Sequence, residues 1–395
     1  MKVELDLPEL TDDERAHSAR LAHLLVEKIK ANGSIPFSEY FAECLYHPEL
    51  GYYTGALPKF GSSGDFVTAP MISPYFSYCL ANQIAEILAL CESPSVMEVG
   101  AGTGVMATDI LTQLKAINAL PKHYYILEIS PVLRERQRES IAKTHPDLID
   151  RVIWLNEPPK EAWQGCIIGN EIVDALPVER FTIQNGEAYY ADVGYDEKSE
   201  QFITVAHRQD EQLTEFMAQL AEENITLPDG YLSEVCPMVK NWLANLTQTL
   251  TKGAVLMIDY GYSRQQYYMQ ERVEGTLIAH FKHRVHNSWE LFQGLQDLTA
   301  NVDFTLLAEA GLEADLDFLG YTSQAYFLYG NGLEAMLTEA KEQISDEMAW
   351  YKIAQAIQIL VLPAEMGERF KVLALGKNIA IEPQGFTLYD MSQQL

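Results

Sequence analysis

The stretch MEVGAGTGVMA, Met97 to Ala107, decides the fold of this chain. The apolar run SVMEV (95–99) leads into it and reads as a buried strand. The spacing that follows reads as a helix near Val105–Ala119. Between them stand Gly100, Gly102 and Gly104. Glycine lets the backbone turn sharply and come close to a ligand without a Cβ in the way. A helix start adds N–H groups that have no partner within the helix.

Outward from that turn the pattern repeats. HYYILEI (123–129), RVIWL (151–155), CIIGN (166–170) and AVLMIDY (254–260) read as further buried strands, with a second helix near Val132–Lys143. FKVLALGK (370–377), late in a long C-terminal section, reads as an edge strand. Such alternation predicts an α/β fold: a mostly parallel, Rossmann-like sheet with helices on both faces. Ligands in these sheets bind beyond the carboxyl ends of the strands.

The sheet is interrupted and preceded by other material. About 80 residues separate CIIGN from AVLMIDY. They read as alternating strands at Arg180–Ile183, Glu187–Val193 and Phe202–His207, with helices near Asp210–Glu223 and Pro237–Leu250. Ahead of the sheet come helices at Glu14–Ala31 and Phe37–Leu45, then a loop rich in glycine and proline over 47–70. A further helix is capped by Ser73 and Pro74 and runs to about Leu90. The expected organisation is an N-terminal helical and glycine-rich lid region over 1–92 and a core over 93–395. An α+β cap on the substrate side is inserted in that core at about 178–252.

Composition narrows the function. At 395 residues the chain can bury a large core, and it has no uninterrupted apolar run of about 18 residues to span a membrane. The opening MKVELDLPELTDDER is acidic and has no apolar signal core, so a cytoplasmic location is expected. The five cysteines Cys44, Cys79, Cys91, Cys166 and Cys236 form no C-x-x-C pair and read as reduced thiols. The formal charge of −28 disfavours nucleic acid and anionic membrane and suits a basic partner; it also serves solubility alone.

The glycine turn fits two cofactor classes unequally. Dinucleotide enzymes use G-x-G-x-x-G, and Val105 stands where the third glycine belongs. Here an acid, Glu98, precedes the turn as E-x-G-x-G-x-G. A carboxylate repels pyrophosphate but suits a ligand carrying an ammonium and a sulfonium, as S-adenosylmethionine does. Glu128 ends the next strand, 24 positions after Gly104, where an acid accepts ribose hydroxyls. Asn156, at the end of the third strand, is placed to meet adenine or serves as a turn former.

The fourth strand ends in Asn170-Glu171, followed by Ile172-Val173-Asp174. Three polar side chains leaving an apolar strand need a reason, because burying unpaired carboxylates is costly. Either Asn170 caps a helix whose positive end favours Glu171 and Asp174, or these residues clamp a nucleophile. Asp259 and Tyr260 end the fifth strand and line the pocket or make a turn. His280, His283 and His286 recur at intervals of three, which on a strand or loop gives no common face, so no metal site is expected.

Several blocks together resemble one family. NEIVDALPVERF (170–181), HPELGYY (47–53), GDFVTAP (64–70), EVGAGTG (98–104), EISPVLRERQ (128–137), IDYGY (258–262), GTLIAHFKHRVH (275–286), QDLTANVDF (296–304), YTSQAYFL (321–328) and MGERFKVLALGK (366–377) are similar to the motifs of the MidA family of methyltransferases. The match runs along nearly the whole chain. It departs at Met71 and Asn156, where the family commonly has an acid.

The resemblance implies a class I methyltransferase fold with S-adenosylmethionine as cofactor. It also implies protein arginine as substrate, a respiratory-complex subunit being the known type of target. In the glycine-rich loop, Asp65 and Thr68 either fold over the cofactor's amino-acid end or belong to a solvent loop with Asp65 in a turn, and the resemblance favours the first. Paired carboxylates such as Glu171 and Asp174 can hold a guanidinium in a bidentate fork beside the methyl donor. Two other readings stay open: a small-molecule methyltransferase, and an assembly factor that binds the cofactor without turnover.

Overall fold

The computed structural model describes residues 7–55 and 68–395. Two compact units share them. One contains 68–173, 239–263 and 304–395; the other contains 7–55, 174–238 and 264–303.

The first unit holds the sheet. Its strands are β1 (Ser95–Val99), β2 (Tyr124–Leu127), β3 (Val152–Leu155), β4 (Trp163–Asn170), β5 (Leu250–Tyr262), β6 (Asp317–Ser323) and β7 (Phe370–Lys377). They lie in the order β6-β7-β5-β4-β1-β2-β3. The run from β5 to β3 is parallel, and β7 is antiparallel to both β5 and β6. The strand order reverses between β1 and β4, which opens a crevice beyond their carboxyl ends.

Alternate residues of the strands, such as Val96, Ile168, Leu256 and Ala374, share one core with helices Pro74–Leu88 and Val105–Ala116. On β7 the next residue, Leu375, meets Gly311 of helix Phe304–Glu313. Successive strand residues point to opposite faces, so helices cover both sides.

The sheet edge and the unit bounds differ from expectation. FKVLALGK is a strand but not an edge, because β7 lies between β5 and β6. Seven successive buried positions make it a central strand, apolar on both faces. The division at residue 92 also moves. Helix Pro74–Leu88 buries Phe76, Leu80, Ile84 and Ile87 in the sheet's own core, so it belongs with the sheet. Helix Val239–Thr247, read as part of the inserted cap, belongs there too.

In the second unit the inserted strands form an antiparallel sheet in the order Gln201–Arg208, Glu187–Asp196, Glu179–Gln184, Leu232–Val235. The N-terminal helices Asp12–Asn32 and Phe37–Tyr46 bury Leu21, Leu25, Phe37 and Phe41 in the same core as Val193, Trp289 and Leu298. Residues 264–303, expected in the methyltransferase core, therefore join this unit. The first helix starts at Thr11 with a reciprocal capping box to Glu14, which satisfies two otherwise orphaned N–H groups.

His280 and His286 lie on the paired strands Ile278–Phe281 and Arg284–His286. The register sets His280 opposite Val285 and His286 opposite Ala279, so the two rings leave opposite faces. His283 is in the turn between them. Among the described residues no group of three or more His, Cys, Asp or Glu could hold a metal, and no helix is long and apolar enough to cross a membrane. All five cysteines are free thiols.

Candidate functional site

The glycine turn joins β1 to helix Val105–Ala116. Gly102 and Gly104 have φ of +51° and +80°, in the left-handed region that L side chains rarely adopt. A Cβ at Gly104 would sit 3.0 Å from the Gln137 backbone, whereas one at Gly102 would meet nothing within 4 Å. Gly104 is thus small to let helix Pro131–Thr144 approach, and Gly102 faces open space. No side chain caps helix Val105–Ala116, which leaves its first N–H groups to a ligand or solvent.

Glu98 is fully buried in β1. Its Oε2 accepts a hydrogen bond from the Tyr124 hydroxyl at 2.6 Å, and its Oε1 has no partner among the described residues. Burial pushes the carboxyl up to about 7; the Tyr124 bond pulls it down, and the nearby Glu128 adds repulsion.

Glu128 follows β2 and is also buried. Its Oε1 accepts from the Ser130 amide at 2.8 Å and its Oε2 from Gln137 Nε2 at 3.1 Å. Burial raises its pKa, and these bonds oppose the rise. Each oxygen keeps a second lone pair for a hydroxyl donor. Arg134 donates to the Glu128 carbonyl, to the Leu155 carbonyl at 2.6 Å and to Asn156 Oδ1 at 2.6 Å. Asn156 is exposed, and its Oδ1 accepts from Arg134.

At the end of β4 the helix-capping alternative fails, because no helix follows Asn170; the chain turns and enters strand Glu179–Gln184. Glu171 has φ +54°, a left-handed conformation for a residue with a side chain. Such strain costs about 1–3 kcal/mol and persists where the surroundings over-determine it. They do so here. The Glu171 amide donates to the Ile258 carbonyl of β5 at 2.9 Å. Asp259, fully buried at the end of β5, accepts on Oδ2 from the amides of Ile172 (3.1 Å) and Val173 (3.0 Å), and on Oδ1 from Tyr260 (2.9 Å).

Asn170 Nδ2 donates to Glu171 Oε1 at 3.0 Å, while the buried Asn170 Oδ1 has no partner among the described residues. A Cβ at Gly100 would overlap the Ile172 side chain, so the glycine turn and the segment after β4 are in contact.

Three expected residues remain. Asp174 is the first residue of the other unit; it is buried there, and its carbonyl accepts from the Ala300 amide at 3.0 Å. Thr68 is extended ahead of the short helix Ala69–Ile72, and its side chain does not cap that helix. Asp65 lies outside the described residues. Sequence reasoning did not single out Tyr124, Arg134, Gln137 or Trp154. Arg134 and Gln137 stand three apart on one helix, a spacing that puts them on one face.

Residues 79–322 match a family described as S-adenosyl-L-methionine-dependent methyltransferase. The chain belongs to the MidA-like methyltransferases. A solved relative from Burkholderia thailandensis, bound to S-adenosyl-homocysteine, is 38% identical with a TM-score of 0.93; the match covers 99% of this chain and 100% of that one. The mitochondrial protein arginine methyltransferase NDUFAF7 of Mus musculus is 27% identical, over 90% of this chain and 84% of that protein. Its Drosophila melanogaster homolog is 26% identical, over 95% of this chain and 89% of that protein.

The methyltransferase's cofactor is therefore S-adenosyl-L-methionine, and the residues present fit it. The Glu98 carboxylate, buried with one oxygen lacking a donor among the described residues, matches a cationic ligand. Open space at Gly102 lets a ligand approach the backbone.

Proposed function

We propose that this methyltransferase methylates arginine in a basic protein substrate, with Glu171 as the carboxylate that receives the guanidinium. The observation that carries the reading is Glu171 itself: a strained acidic residue at the carboxyl end of β4, stitched to β5 and hydrogen-bonded to Asn170. The names of the relatives support arginine, and the net charge of −28 supports a basic partner.

The cofactor supplies a methyl group already activated by its sulfonium. The chain's residues supply position. Glu98 meets the positive charge of the cofactor's amino-acid end, Glu128 accepts the ribose hydroxyls, and Gly100, Gly102 and Gly104 let the backbone come close. Glu171 accepts N–H donors of the guanidinium in charge-assisted hydrogen bonds and orients one nitrogen. Asn170 Oδ1, buried and without a donor among the described residues, takes a further N–H. Holding donor and nucleophile in line is the larger part of catalysis for a displacement of this kind.

The test uses cells lacking this protein. Their proteome is incubated with the purified enzyme and tritiated S-adenosyl-L-methionine, then hydrolysed. Label in methylated arginine is the expected result. Label confined to small molecules overturns the protein-substrate reading. In parallel, Glu171→Gln should lower turnover on the order of 10²–10³-fold with cofactor affinity nearly intact. A matching loss of cofactor affinity would place Glu171 in cofactor binding instead.

A further inference from the structure

Gln137 is fully buried on helix Pro131–Thr144, yet an apolar residue would fill the same place without a polar cost. Fixing a glutamine also costs rotamer freedom. Its polar atoms are all used. Nε2 donates to the Gly102 carbonyl at 3.0 Å and to Glu128 Oε2 at 3.1 Å, and Oε1 accepts from Trp154 Nε1 at 2.9 Å. One side chain thus ties together the turn after β1, the acid after β2 and the tryptophan of β3.

We propose that Gln137 is a positioning residue for the cofactor. It fixes the Glu128 carboxylate and the Gly102 peptide in one orientation before the cofactor arrives. The inference rests on the reading of Glu128 as the ribose acceptor. The choice of amide follows from the chemistry. A lysine or arginine would neutralise Glu128, and an acid would repel it. A neutral donor holds one lone pair of Oε2 and leaves the charge and the other lone pair for the ligand. Pre-orienting a binding group removes the ordering cost from the binding step.

Charged groups adjoin this network. Glu128 is in direct contact, and Glu98 adds repulsion to the Glu98–Glu128 pair. Arg134 holds the Glu128 carbonyl, and the Arg138 guanidinium lies 4.3 Å from the centre of the Trp154 ring.

The experiment measures dissociation constants of S-adenosyl-L-methionine and S-adenosyl-homocysteine by calorimetry on the full chain at pH 6 and pH 8. The proteins are wild type, Gln137→Met, Gln137→Glu and Glu128→Gln. Gln137→Met keeps the shape and removes the hydrogen bonds; both ligands should bind at least tenfold more weakly. In Gln137→Glu the protonated acid can still donate to Glu128, and the ionised acid repels it. The ratio of variant to wild-type dissociation constant should therefore rise severalfold from pH 6 to pH 8, a response that a packing role would not produce. Taking the ratio removes the titration of Glu98 shared by both proteins and leaves that of the Glu128 carboxyl coupled to the new acid.

Affinity of Gln137→Met within threefold of wild type, or a Gln137→Glu ratio flat with pH, overturns the proposal. If Gln137→Met does not fold, the pH ratio alone decides. Unchanged affinity in Glu128→Gln overturns the ribose reading, which keeps the two failures distinct.

Discussion

At the scale of single residues, Glu98 sets a pH response. Its carboxyl titrates at about 7 when folded, against 4.5 for a free glutamate. The folded state therefore holds more protons than the unfolded one between those values. The contribution to stability is present below pH 4.5 and is lost as pH rises toward 7, on the order of 3 kcal/mol in all. Glu98→Gln should raise the stability of the cofactor-free protein at pH 8 by about 1–3 kcal/mol, read by denaturant titration; a destabilised variant would refute it. Cofactor binding has the opposite sign, because only the ionised carboxylate pairs with a cation. Wild-type affinity should fall as pH drops below 7, by up to tenfold per pH unit, and Glu98→Gln should show a shallower profile. Glu98, Glu128 and the three glycines were legible because acid identity and glycine spacing are properties of a string. Tyr124 and Gln137 were not, since their roles are hydrogen bonds between segments that only the fold brings together.

At the scale of elements, the site is a seam between strand ends. Asp259 of β5 holds the amides of Ile172 and Val173, and those amides follow Glu171. Asp259→Ala removes the side-chain acceptor of three amides, those of Ile172, Val173 and Tyr260, at about 1–3 kcal/mol for each left unsatisfied. It should lower turnover on the order of 10²-fold through a misplaced Glu171, with a smaller change in cofactor affinity. Equal losses in both would make Asp259 part of cofactor binding. Gly104→Ala should cost about 1–2 kcal/mol from the left-handed φ alone and weaken cofactor binding further by pushing Gln137 away. Thermal melts with and without cofactor separate those two effects. The elements themselves were largely readable. The strands around the glycine turn and the first two helices lie within a few residues of expectation, because each keeps one clear period. β7 was misread as an edge because its place in the sheet depends on a partner more than a hundred residues earlier, which no local pattern encodes.

At the scale of the molecule, charge and chain path matter most. With a net charge of −28, attraction to a basic substrate is long-ranged and screened by salt. The Michaelis constant for an arginine-containing basic peptide should rise several-fold between 50 and 300 mM NaCl, and a salt-independent constant would count against a basic substrate. Within the described stretches the chain passes between the two units four times, although the linear reading expected a boundary at residue 92 and one insertion. Side chains from distant segments complete each core, so no contiguous fragment contains either one. The place of β7 carries a last consequence. As the nascent polypeptide leaves the ribosome, β5 emerges more than a hundred residues before the strand that pairs with its outer side. Until then β5 presents a bare, strongly apolar row of backbone donors and acceptors, a template for pairing with another chain. A premature stop before Phe370 would thus yield a product fated for chaperone retention and degradation.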